Sequence, residues 1–211
     1  MNVLTYPTFL PLHFNQQESH QMDLSIRSLI TLLHGMGFGG LYLLAGSAAL
    51  LWISPWPLLT EESASSRLRQ RGIGIYLTLM ATLAWFAVLS GTFIVYPWYR
   101  ASPPMNAVDL TAYPRAFLLS SPATTTLHST VMEWKEHIAW IIPITTTATA
   151  AIALRSGSLL ATSRLLRTIV LAFLAISLGA AAVSGVAGAL INKAAPVTCL
   201  SKTKITHGAT K

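Results

Sequence analysis

Charge is what this sequence has least of. Only 10% of its 211 residues are Asp, Glu, Lys or Arg, less than half of the roughly 25% found in a soluble domain. That excludes a disordered chain, which needs high charge and few apolar residues, and disfavours an ordinary water-soluble enzyme. Acids are the scarcer sign, 7 against 14 Lys and Arg, for a formal charge of +7. On a soluble protein such a surplus marks a nucleic-acid partner; here the basic residues flank long apolar runs, and no nucleic acid is expected. Cysteine is almost absent. Cys199 stands alone, which excludes an internal disulfide, a cluster held by the chain's own cysteines, and a c-type haem. No hydrolase elbow, phosphate loop, H-E-x-x-H or catalytic carboxylate pair occurs, so independent catalytic activity is not expected.

What is present is apolar length. No charged residue occurs from Ser28 to Thr60, from Gly72 to Tyr99, from Ile138 to Leu154, or from Thr168 to Asn192. A membrane helix needs about 20 apolar residues to cross a ~30 Å hydrocarbon core. The expected fold is an all-α, integral-membrane bundle of four transmembrane helices with no sizeable soluble domain. The spans are placed at about 28–53, 74–96, 128–154 and 167–191. An arm at 1–27, an interfacial connection at 97–127 and a basic tail at 193–211 complete the chain. The first 26 residues have no basic n-region, so no signal peptide is expected. Trp52, Trp56, Tyr96, Trp98 and Tyr99 form candidate interfacial belts. Arg67, Arg69 and Arg71 follow the first span where only Arg27 precedes it, which puts both termini outside the cytoplasm by the positive-inside rule.

The third apolar stretch has only 17 residues, so its helix must begin within the polar segment before it. That segment, Met132-Glu133-Trp134-Lys135-Glu136-His137, is the most informative in the chain. Glu133 and His137 stand four apart, on one helix face, and Pro143 denies the Ala139 carbonyl its usual donor. Counting helical rise from the opposite ends puts His34 and His137 at similar depth, so this pair is the candidate to ligate a metal or tetrapyrrole, with Glu133 beside it. Against that, Glu133 and His137 can satisfy each other, and Lys135 can snorkel to the headgroups. His128 lies half a turn around the helix from His137 and is read as structural. Around His34, Gly35, Gly37 and Gly40 spell G-x-G-x-x-G, but inside a membrane helix the dinucleotide reading fails for want of a preceding strand; the glycines instead permit close approach. Gly179 to Gly188 give the fourth span small residues for tight packing against the bundle or a partner. Leu110, Tyr113, Phe117 and Leu118 predict a short amphipathic piece in the connection.

In format, with four spans, intramembrane histidines and Glu133-Trp134-Lys135-Glu136-His137 at one mouth, the chain resembles small accessory subunits of bacterial electron-transfer or photosynthetic membrane complexes. It also loosely resembles small four-helix b-type cytochromes. The first resemblance implies a subunit of the bacterial inner membrane that packs against other membrane subunits and lipids and helps hold tetrapyrrole pigments, of the haem b or chlorophyll type. The second implies one haem b between His34 and His137, with quinol near Glu133.

Overall fold

The computed structural model describes residues 26–54 and 64–195. Among them 86% are helical and none lies in a strand. Four helices are long and apolar enough to cross a membrane: α1 (Ile26–Ile53), α2 (Arg71–Tyr99), α3 (Pro122–Arg155) and α4 (Arg164–Ala194). All-helical architecture with four membrane-length helices is thus what the described residues form. The third helix begins at Pro122, well before Glu133, as its short apolar stretch requires. Ser121 caps it, accepting from the Ala123 amide, and Pro122 fills the first position, where a missing N–H costs nothing. The arm before Ile26, the connection at 55–63 with Trp56, and the end of the tail with Cys199 lie outside the described residues.

Each helix buries a narrow stripe. On α1 it is Tyr42, Gly46, Ala49 and Ile53; on α4 it is Val170, Leu174, Ser177, Ala181, Ser184 and Ile191, the three- and four-residue spacing of one helical face. The outward faces carry large apolar side chains, among them Leu44, Leu79, Phe86, Ile144, Ile176 and Val186. A soluble bundle places its polar residues there; these helices present hydrocarbon instead. Gly46 allows α1 and α4 to approach, because a Cβ there would lie 2.5 Å from Leu178 Cδ2.

At the centre, three helices are joined through hydroxyls. Tyr42 Oη lies 2.7 Å from Thr146 Oγ1 and also bonds Ser177 Oγ. Thr146 donates to the Ile142 carbonyl at 2.7 Å, and Ser177 to the same carbonyl at 3.2 Å. With both of those protons directed at the carbonyl, the Tyr42 proton is the one left to serve the Thr146 and Ser177 oxygens. All three side chains are buried, and this hub fixes the rotation of α1, α3 and α4 about one another.

Two irregularities interrupt the helices. At Pro143 the ladder of α3 tightens: the Ile142 amide donates to the Ala139 carbonyl at 3.3 Å, and Trp140 to His137 at 3.4 Å. The carbonyl that Pro143 was expected to leave open is therefore taken by a neighbour one residue nearer. Three π-helical stretches also occur, Leu33–Gly40 in α1, Gly91–Val95 in α2 and Leu127–Met132 in α3. All lie toward the same end of the bundle, called here the histidine end; Arg71, Arg155, Arg164 and Arg167 mark the other. In the connection, the amphipathic piece forms a helix only over Pro114–Leu119. Leu118 is fully buried with Tyr99, Met132 and Ile191, which pins the connection across the histidine end.

Replacing Tyr42 by Phe removes the hub's third proton while keeping the ring. The expected loss of stability is about 1 kcal/mol, within the range of interhelical hydrogen bonds measured in membranes. Unfolding of the full chain in mixed micelles checks it; an unchanged midpoint would mean that the hub contributes nothing.

Candidate functional site

The polar chemistry collects at the histidine end in two layers. The outer one is built where α2 ends and α3 begins. Tyr99 Oη lies 2.8 Å from His128 Nδ1, and Arg115 Nε donates to His128 Nε2 at 3.3 Å. An arginine can only donate, so Nε2 accepts and the imidazole proton sits on Nδ1, directed at the Tyr99 oxygen. The Tyr99 proton is then free for another acceptor, and the Glu136 carboxyl is the acid that bears on both Tyr99 and Tyr96. Arg100 closes this layer, donating to Tyr96 Oη at 2.9 Å with its guanidinium over the ring. One Glu136 oxygen, Oε1, is buried without a hydrogen-bond partner.

The inner layer surrounds His34. Ser90 donates to the Ala87 carbonyl at 3.2 Å, so its oxygen is the acceptor for His34 Nδ1–H, 3.1 Å away. The Cε1 edge of the ring faces Gly91, where a Cβ would lie 2.6 Å from Cε1, 3.2 Å from Nε2 and 3.3 Å from Nδ1. Gly91 is thus the residue that lets the imidazole stand between α1 and α2. Lys135 reaches in from α3: its charge bears on His34, and its Cε lies 3.2 Å from where a Cβ on Gly188 of α4 would be. Ser184, one turn from Gly188, is buried with its hydroxyl unpartnered.

The structure brings His34 to Ser90, Gly91 and the charge of Lys135. His137 it places on the exposed side of α3, two residues and so about 200° around the helix from Lys135. His137 Nδ1–H donates to the Glu133 backbone carbonyl at 2.7 Å. The Glu133 carboxylate is exposed, and the link between this pair runs through backbone and not through the acid. Among the described residues no group of three or more His, Cys, Asp or Glu is placed to hold a metal ion. What the sequence reading passed over is the Tyr99–His128–Arg115 cluster. Its one sequence signal is that Tyr99 closes the second span and His128 opens the third, which makes them neighbours across an antiparallel pair. Comparison with known proteins finds no matching family model, no matching curated protein and no matching solved structure.

Two predictions follow from this geometry. Gly91→Ala forces the His34 ring to move and should cost about 1–3 kcal/mol, as overpacking does. In a His34→Ala background the same change should cost nearly nothing, so a double-mutant cycle should show coupling of that size; independent effects would place the ring elsewhere. In the connection, the Thr111 amide and hydroxyl both donate to Asp109, at 2.9 and 2.7 Å, and hold its carboxyl below the ordinary range. A depressed folded-state pKa contributes order above the unfolded value that is lost as pH falls through the folded one. Exchange protection at the Thr111 amide should therefore persist at neutral pH and be lost progressively as pH falls below about 4; in Asp109→Ala it should be low throughout.

Proposed function

We propose that this chain is a small integral-membrane accessory subunit of a larger electron-transfer or photosynthetic complex of the bacterial inner membrane, working by packing against partner helices and not by catalysis of its own. The observation that carries this reading is the outer face of α4. Its inward stripe is already made of small residues, Ser177, Ala180, Ala181, Ser184 and Ala187. Yet Gly179 and Gly185 point away from the bundle, with nothing within 4 Å of a Cβ built on either. Glycine weakens a helix by about 1 kcal/mol relative to alanine, and lipid gives no return for that. A closely approaching partner backbone does. Beside these glycines, Val131 of α3 and Val183, Val186 and Leu190 of α4 border an apolar groove that a partner helix or an acyl chain would fill.

A tetrapyrrole of the haem or chlorophyll type fits His137 better than His34. The Nδ1–H bond to the Glu133 carbonyl fixes the tautomer that leaves Nε2 with a lone pair, the arrangement by which ligating histidines are usually held, and the ring is exposed on the outer wall. The His34 ring is packed against Gly91, so closely that a Cβ there would lie 2.6 Å from Cε1. Such a group, when bound, supplies light absorption or one-electron chemistry; the chain supplies an axial nitrogen and its orientation.

The test is extraction in mild detergent followed by a native gel and an absorption spectrum. The chain should migrate with redox or pigment proteins; a stable, lone monomer would overturn the reading. Gly185→Leu should release it from the assembly without unfolding it, whereas Gly46→Leu, whose side chain would collide with Leu178, should unfold it. His137→Leu should remove any tetrapyrrole band and His34→Leu should not; loss of one band in both variants would instead support a haem held between the two. Reporter fusions after residues 65 and 160 should be cytoplasmic, and those after 20, 110 and 205 external. The same side for 65 and 110 would exclude four spans.

A further inference from the structure

We propose that the Pro114–Leu119 helix is an acid-released cover over the histidine end, held in place at neutral pH by the bond from Arg115 to the neutral imidazole of His128. Counting protons fixes the charge state that this bond requires. Arg115 Nε donates to His128 Nε2 at 3.3 Å, and Nδ1 lies 2.8 Å from Tyr99 Oη. A guanidinium has donors only, so Nε2 keeps its lone pair while Arg115 is docked. Protonating the ring turns Nε2 into a second N–H and sets one cation against another. The bond to Tyr99 survives, because Nδ1 is already a donor and the phenol oxygen still accepts. Acid therefore removes one of the two His128 bonds, the one that reaches the connection.

The helix is built so that this bond matters. Arg115 and Leu118 stand three apart, on one face. Leu118 is fully buried with Tyr99, Met132 and Ile191, and Thr124 Oγ1 donates to its carbonyl at 2.8 Å. The C-terminal end is thus tied to the start of α3 by contacts that carry no charge. Toward the N-terminal end the polar tie is Arg115, and before it runs a stretch in which Met105 and Val108 are almost wholly exposed. The charges around His128 decide which partner moves. Arg115 from the connection and Arg100 from α2 repel an imidazolium, whereas Glu133 and Glu136 from α3 attract it. On α4, Lys193 is exposed, two residues and so about 200° around the helix from the buried Ile191. The imidazolium stays with Tyr99 and the α3 acids, and the guanidinium leaves with the helix that bears it. The docked form holds His128 unprotonated, and the released form takes up a proton below about pH 6.5, so docking weakens as pH falls through that value. Lifting the helix uncovers Tyr99, Met132 and Ile191, which makes the cover a histidine switch.

Amide exchange of the full chain in nanodiscs tests this. The Phe117 amide donates to the Tyr113 carbonyl at 2.9 Å and the Ser120 amide to that of Ala116 at 3.1 Å. After correction for the intrinsic rate, their protection should fall by about tenfold or more from about pH 7.5 to about pH 5, a window above the ordinary carboxylate range. Amides of α4 around Ser177 should keep theirs, since the bundle stays folded. His128→Gln retains a donor and an acceptor but cannot titrate, and its protection should be the same at both pH values. Arg115→Met should show at the higher pH the low protection that the natural chain reaches only at the lower. A natural chain whose protection does not change with pH would overturn the proposal. So would an equal fall in His128→Gln, because another group would then be the trigger. Should the glutamine variant misassemble, Arg115→Met decides: full protection there at the higher pH would overturn the proposal by showing that the bond holds nothing.

Discussion

A helix in hydrocarbon has no water to satisfy a polar group, so every donor and acceptor inside it must find a partner within the protein. The Tyr42–Thr146–Ser177 hub is where that constraint is met most fully. Thr146 and Ser177 each send a proton to the Ile142 carbonyl, and Tyr42 serves both of their oxygens. Rotating any one of the three helices would strand a hydroxyl in an apolar core. The stripes above and below the hub, Gly46 and Ala49 on α1 and Leu174 and Ala181 on α4, then follow, because a helix held at one residue presents a determined face along its length.

The same requirement accounts for what was legible in the sequence. Four charge-free stretches predict four helices, since nothing but a helix satisfies so long an apolar backbone, and the 17-residue stretch correctly demanded extra turns before Glu133. Partners of individual side chains were less legible. Glu133 and His137 stand at the right spacing to pair, and they do bond, but through the Glu133 carbonyl; spacing along a helix cannot tell a side-chain acceptor from the backbone one turn back. His128, read as structural, has both ring nitrogens bonded. Its partners come from α2 and from the connection, and the sequence does not reveal how that connection folds back.

The two ends of the bundle differ in kind. Toward the arginine end the interior is packed mainly with Ile53, Ile73, Leu77, Val170 and Leu174, and it includes the buried Thr149. Toward the histidine end the interior holds imidazole, ammonium, carboxyl and hydroxyl groups, and the Pro114–Leu119 helix lies across it on Tyr99, Met132 and Ile191. Buried polar groups are costly when partly satisfied and rigidifying when fully satisfied.

The π-helical stretches explain how that end was built. His34 and Tyr42 are eight residues apart, and in a straight α-helix two turns take 7.2 residues. The remainder would swing His34 about 80° off the Tyr42 face, toward lipid. A π-helical segment takes one more residue per bonded turn, and Leu33–Gly40 is π-helical over nearly this whole interval; it absorbs the excess and keeps both side chains inward. His128 and Glu136 are also eight apart, with Leu127–Met132 π-helical between them, and both bear on Tyr99. The glycines around His34, four of them from Gly35 to Gly40, fit this reading better than a ligand cradle does. Gly35 and Gly40 clear nothing, as no atom lies within 4 Å of a Cβ on either. Their effect is to weaken the regular α-ladder where the helix must widen to turn a histidine into the bundle.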